Sequence, residues 1–193
     1  TTLVLWSMLV DAPLEPLANP DLSPNPAKAA WYFMGIQELL LHFHPLFGAI
    51  IIPGLALLGL TALPYLDSDM DSVGVYFRSR RGRWLAAFSA ATGALLTVGY
   101  VLLDEFVLDL PALLPSLPTL VSNGLVPLAL LGLGLFGFAA LTRRAFGATR
   151  CEATLGIFTL ILTGFVILTL IGIFFRGPGM ALMWPWDVAT VGH

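Results

Sequence analysis

The 193 residues are 58% hydrophobic and only 11% charged, and mean hydropathy is +0.88. Soluble domains carry about 25% charged residues, so the excess apolar surface must face something other than water, and a lipid bilayer is the default. The net charge of −3 excludes a basic nucleic-acid binder, and the single Cys151 excludes an internal disulfide and a cysteine-rich metal site.

In chain order, Thr1–Val10 comes first, an apolar stretch too short to cross a hydrocarbon core of about 30 Å. With no initiating Met, basic n-region or A-x-A site, it reads as the end of a longer helix rather than a whole signal peptide, with a half-inserted segment as the alternative. Asp11–His44 follows, opening with Pro13, Pro16, Pro20, Pro24 and Pro26, which enforce an extended, turn-rich path. Residues 27–43 lack proline and predict a helix lying at the membrane interface, with Trp31, Met34, Glu38 and Leu41 on one face. Trp31 and Tyr32 suit that setting, one end of each ring apolar and the other wet.

Four stretches then satisfy the roughly 20 apolar residues a spanning helix needs: 45–65, 84–103, 120–141 and 153–175. Pro53 and Pro127 sit inside two of them and are tolerated if neighbouring groups satisfy the freed carbonyls. Ala86, Ala90 and Ala94 form a small-residue row suited to close helix packing. The fold class predicted is an all-α integral membrane bundle of one domain over 1–193, with about four transmembrane helices, a partial N-terminal helix and an interfacial helix. The tail FFRGPGMALMWPW ends in Trp184 and Trp186, which read as an interfacial anchor.

Seven of the nine basic residues fall in two loops. Arg78, Arg80, Arg81 and Arg83 lie in 66–83, and Arg143, Arg144 and Arg150 in 142–152. Four spans put both loops on one side, which the positive-inside rule makes cytoplasmic. Segment 11–44 and the C-terminus are then outside. The arginine cluster is read as a topology anchor and Cys151 as an ordinary thiol.

No ionisable residue lies mid-span, so there is no carboxylate chain for a pump and no arginine ladder. Transport by this chain has little support. The candidate chemistry is in the outer segment. Glu38 lies four residues before His42, so the two can meet on one helix face, where the carboxylate beside an imidazole is a proton acceptor or, as the alternative, an exposed interfacial glutamate. His42 and His44, two residues apart, fall on different faces and cannot share a metal. Each is an interfacial histidine bonded to backbone or water, a hydrogen-bond partner of a quinone, or a single haem ligand. No metal site is predicted.

Glu15-Pro16, Ala18-Asn19-Pro20, Trp31-Tyr32-Phe33 and Pro64-Tyr65-Leu66-Asp67 occur in the order and spacing found in the C-terminal part of cytochrome b. The chain resembles that family from about Leu5 to Asp67, and more narrowly its subunit IV type, a separate chain of cytochrome bc complexes. The resemblance implies a subunit of a quinol:cytochrome c oxidoreductase-type complex rather than a stand-alone enzyme. It implies a quinol site on the outer side, lined by Trp31, Tyr32, Phe33, His42 and His44, and b-type haems in a partner subunit of the cytochrome b N-terminal type. It further implies a Rieske or cytochrome c-type partner, a dimeric complex, and a prokaryotic plasma membrane or similar energy-transducing membrane.

Two departures stand out. The family's "PEWY" proline and glutamate fall on Ala29 and Ala30, so either Glu38, Asp21 or a partner's carboxylate takes the quinol proton or the pocket does not oxidise quinol. Four spans also exceed the two or three that follow this loop in the family. The alternatives are a structural bc-like subunit of a larger respiratory or photosynthetic assembly, and a haem-bearing membrane anchor of a redox enzyme.

Overall fold

The computed structural model describes residues 2–10, 27–66, 79–108 and 110–191. The proline-rich run with its Glu-Pro and Ala-Asn-Pro motifs, Asp21, Asp67 and Arg78 lie outside these residues. Among the described residues every element is helical, apart from one isolated antiparallel bridge between Arg176 and Leu182.

The helices are α1 (Thr2–Leu9), α2 (Met34–His42), α3 (Ile52–Leu66), α4 (Arg80–Phe106), α5 (Leu110–Leu113), α6 (Val126–Ala145), α7 (Arg150–Phe174) and α8 (Pro185–Val191). Three helical stretches among the described residues are long and apolar enough to cross a membrane: Arg80–Phe106, Val121–Ala145 and Arg150–Phe174. The fourth expected span begins at Phe47 and is a shorter apolar helix. α1 buries none of its residues.

The bundle is organised around α7, which packs against α4, α2 and α6. Small residues on α7 and its partners permit this. A Cβ on Gly93 of α4 would sit 2.5 Å from the Leu160 carbonyl oxygen, and one on Gly164 of α7 would sit 2.8 Å from Thr97 Oγ1. Leu85, Ser89 and Gly93 form the buried line of α4. The close-packing row is thus one position off the predicted Ala86, Ala90 and Ala94, because Gly93 admits the α7 backbone where Ala94 could not. Ser89 satisfies its hydroxyl within its own helix, donating to the Leu85 carbonyl at 2.7 Å.

Both in-span prolines are accommodated by a change of helix type. A π turn, Phe47–Ile51, precedes Pro53, and another, Val121–Leu125, precedes Pro127. Proline lacks the N–H that would close the ordinary i→i−4 bond, and a wider turn just upstream absorbs the mismatch within the helix itself. The two turns meet: the His44 amide donates to the Asn123 carbonyl at 2.9 Å.

The described arginines of the two loops, Arg80, Arg81 and Arg83 at the start of α4, Arg143 and Arg144 at the end of α6 and Arg150 at the start of α7, lie at one end of the bundle. Ser79 Oγ donates to Glu152 Oε1 at 2.7 Å, and Arg81 Nη1 donates to the Gly147 carbonyl at 3.2 Å. Thr149 and Glu152 close a capping box that starts α7. Gly147, with φ 60°, makes the turn out of α6.

Candidate functional site

At the opposite end, α2 lies across the last turns of α7. Gly35 makes this contact possible, since a Cβ there would meet the Phe165 ring and Thr169 Oγ1 at 2.7 Å. Met34 packs on Gly172 of α7 in the same way. The regular helix is shorter than predicted from 27–43. Residues 27–30 are extended, Trp31–Phe33 is a single 3-10 turn, and the α-helix starts at Met34.

Gln37 holds that approach in place. Its Oε1 accepts from the Ala29 amide at 2.7 Å, and its Nε2 donates to the Ala27 carbonyl at 2.8 Å. Lys28 Nζ donates to the Ile173 carbonyl at 2.9 Å, near the negative end of α7. Burial holds the Lys28 ammonium below the ordinary lysine value. The three aromatic side chains that follow are exposed: Trp31 71%, Tyr32 59% and Phe33 54%. Their rings contact one another in sequence, edge-on and then tilted.

The buried face of α2 is Met34, Gly35, Glu38 and His42. The predicted face included Trp31 and Leu41, and the structure exposes both. Trp31 lies in the 3-10 turn ahead of the α-helix and is not part of its buried line.

Glu38 is fully buried, and its carboxylate is the acceptor at the centre of a polar cluster. Arg176, 1% exposed, donates to it through Nε at 3.0 and 3.2 Å, and Nη2 donates to the same group. Arg176 Nη1 reaches Glu105 Oε2 at 2.8 Å and the Met180 carbonyl at 2.9 Å. His42 links Glu38 to α4. Its Nε2 lies 3.3 Å from Glu38 Oε1, and its Nδ1 lies 2.6 Å from Asp104 Oδ2. Tyr100 donates to the His42 carbonyl at 3.3 Å and sets its ring edge against the imidazole.

Burial alone would raise the Glu38 carboxyl, but the hydrogen bonds to His42 and Arg176 and the Arg176 charge hold it below the ordinary carboxylate value. Burial alone would lower the His42 imidazole, yet the two facing carboxylates, Asp104 first, hold it above the ordinary histidine value. Arg176 is likewise raised, its hydrogen bonds to Glu38 and Glu105 outweighing burial.

The predicted Glu38–His42 proximity is present. Asp104, Glu105 and Arg176 belong with that pair, and sequence reasoning left them in a loop and a tail. The helix preceding that loop does not stop at Leu103 but carries Asp104 and Glu105 in its last turn. The tail returns as a tight hairpin: Gly179 and Met180 take φ of 66° and 60°, and the Gly177 amide donates to the Ala181 carbonyl at 3.0 Å. Met180 is a non-glycine residue in the left-handed region, and its carbonyl is the one Arg176 binds. The usable signal was a lone arginine on the arginine-poor side, followed directly by Gly-Pro-Gly.

His44 is not on α2; its Nδ1 accepts from the Leu46 amide at 3.3 Å. Neither histidine is placed with a metal-binding set: among the described residues no group of three His, Cys, Asp or Glu side chains could hold a metal ion. Both His42 ring nitrogens face carboxylates, so that ring does not suit axial haem ligation. Surface hollows at the arginine-rich end, one lined by Arg143, Arg144 and Gly147, are open and distant from this cluster. They gather no buried polar group, and the candidate site is the cluster around Glu38.

Residues 17–110 match the family model described as Cytochrome b(C-terminal)/b6/petD, 94 of the 193 residues. The match extends the resemblance past Asp67 to include all of α4, and with it Asp104 and Glu105. No curated protein and no solved structure matches the chain.

Proposed function

Starting from a chain whose residues 17–110 are of the cytochrome b C-terminal type, we propose that it is a membrane subunit of a quinol-oxidising cytochrome bc-type complex and contributes to the outer-side quinol site. One juxtaposition carries the reading. Exposed Trp31, Tyr32 and Phe33 lead directly into a helix whose buried face holds Glu38 and His42. The aromatic rings offer a quinol ring stacking surface, and His44 sits at the edge of the same segment. The Glu38–His42 pair supplies a proton acceptor in place of the family glutamate, whose position holds Ala30. Quinone brings two-electron chemistry to such a site. The b haems belong to a partner of the cytochrome b N-terminal type, and the electron acceptor is a Rieske or cytochrome c-type subunit in a complex that is dimeric.

In this reading the arginine-rich end is cytoplasmic and the Glu38 end faces the outside of a prokaryotic plasma membrane or similar energy-transducing membrane. The apolar helix beginning at Phe47 completes four spans with a local thinning of the bilayer. Trp184 and Trp186, stacked and exposed, anchor the tail at the outer interface.

The experiment is purification of the native complex through a tag on this chain in mild detergent, with a reduced-minus-oxidised spectrum before and after quinol. Quinol-reducible b-type haem in a partner subunit is expected. A complex with no haem would favour the second reading, a structural bc-like subunit. Ala30 and the engagement of Glu38 by Arg176 are the observations on that side.

A further inference from the structure

We propose that His42 is the proton-exchanging group of the outer cluster, with Asp104 as its outlet to water and Arg176 as the positioning residue that keeps Glu38 available as a fixed acceptor. The geometry assigns the hydrogens. Glu38 is fully buried and would take a proton itself if left unpaired. Arg176 prevents this by donating from Nε and Nη2 into its two oxygens. The ionised carboxylate then accepts from His42 Nε2–H at 3.3 Å. Arg176 Nη2, one of whose two hydrogens goes to Glu38, also lies 3.4 Å from Nε2.

Of the two ring nitrogens, Nδ1 is the one with a route to water. It faces Asp104 Oδ2 at 2.6 Å, and the Asp104 side chain is 20% exposed while that of His42 is 2%. The ring faces Glu38 from α2, Asp104 from α4 and Arg176 from the tail, and Glu105 of α4 faces Arg176; Tyr100 bonds the His42 backbone carbonyl and packs its ring edge on the imidazole. Three carboxylates thus share the cluster with one guanidinium, which leaves room for one more positive charge.

The step balances without electrons. In the loaded state the imidazolium donates from both nitrogens. On release the Nδ1–H bond breaks, an O–H bond forms on Asp104 Oδ2, and Asp104 passes the proton to outer water. The ring is left neutral with its hydrogen on Nε2, still bound to Glu38. Uptake is the reverse. That the proton exchanged is one released by a quinol rests on the function proposed above; the exchange itself does not.

The test uses the tagged native complex with 15N-labelled histidine, followed by NMR across pH, together with infrared detection of protonated carboxyl groups. In the wild type His42 stays doubly protonated above the ordinary histidine range. Asp104→Asn weakens its proton binding about tenfold or more. Arg176→Gln creates a protonated-carboxyl band at neutral pH that Arg176→Lys does not, and adding Glu38→Gln removes the band. If Arg176→Gln does not assemble, the Glu38→Gln/Arg176→Gln pair leaves no unpaired buried charge, and His42 should still titrate at lower pH than in the wild type. A His42 titration unmoved by Asp104→Asn, or no carboxyl band assignable to Glu38 in an assembled Arg176→Gln complex, overturns the proposal. Titrations as expected in a complex that does not oxidise quinol would uphold the exchange and remove the quinol reading alone.

Discussion

The two ends of the bundle carry comparable numbers of charged groups and use them in opposite ways. At the arginine-rich end Arg80, Arg81, Arg83, Arg143, Arg144 and Arg150 are all exposed, and the polar contacts there are caps and single bonds between neighbouring loops. At the outer end Glu38, His42 and Arg176 are buried and join α2, α4 and the tail across sequence separations of 62 to 138 residues. Exposed charges cost little and fix topology. Buried ones carry a desolvation penalty of several kcal/mol each and persist only when mutually satisfied. The outer cluster therefore marks a place where the fold accepts that cost, and such places are where function is sought first.

The sharpest way to break this contrast is to remove one partner at each end. Arg176→Gln removes the guanidinium from buried Glu38 and forces that carboxyl to take up a proton, and stability of the purified protein should fall by about 3–5 kcal/mol. Arg143→Gln should change it by less than about 0.5 kcal/mol. Thermal or denaturant unfolding in detergent reads both, and equal losses would erase the distinction.

Gly35→Ala comes next. The added methyl meets the Phe165 ring and Thr169, so a loss of about 1–3 kcal/mol is expected, with α2 displaced from α7. An unfolding midpoint equal to wild type would show that α2 is not held by this contact. At the other end, Thr149→Ala removes a capping box and should cost about 1 kcal/mol. Because that loss is local, it should leave the His42 titration untouched.

The pH dependence separates the ends as well. Glu38 is depressed in the folded protein, so its contribution is present above the ordinary carboxylate range and fades as pH falls through its folded value. His42 is raised, so its contribution is complete below the ordinary histidine value and fades as pH rises through its folded value. Stability should peak between, and His42→Gln should flatten the alkaline side of the peak. An alkaline limb that is the same in both proteins would remove His42 from the balance. The smallest structural effect belongs to Tyr32→Ala, which is exposed and should leave unfolding unchanged while slowing quinol turnover several-fold through lost ring contact, on the order of 0.5–1.5 kcal/mol. Unchanged turnover in an assembled complex would take Tyr32 out of the quinol pocket.

Much of this fold was legible because lipid imposes a coarse code. Uninterrupted apolar runs located α4, α6 and α7, and the arginines placed both loops at one end. The i,i+4 spacing of Glu38 and His42 was enough to bring them together. What escaped has a common cause. Hydropathy windows end at the first charge, so α4 was trimmed at Leu103 although its helix runs on through Asp104 and Glu105. A charge at a span's end reads as solvated unless its partner is known, and the partners here are distant in sequence. The hairpin that aims Arg176 inward depends on backbone conformations at Gly179 and Met180 that no periodicity reveals. Helix type was equally hidden: a proline announces a disturbance, but not that a π turn resolves it.

The account's central claim is that the outer end handles the protons of quinol oxidation. Its most direct test is the rate of quinol-driven b-haem reduction in the native complex across pH, wild type against Glu38→Gln. His42 accepts a proton only when neutral, and removing the Glu38 carboxylate weakens its proton binding, so the expected result is a rate profile in Glu38→Gln displaced to lower pH. Profiles that coincide across pH, with Glu38→Gln assembled and its haems intact, would contradict the claim.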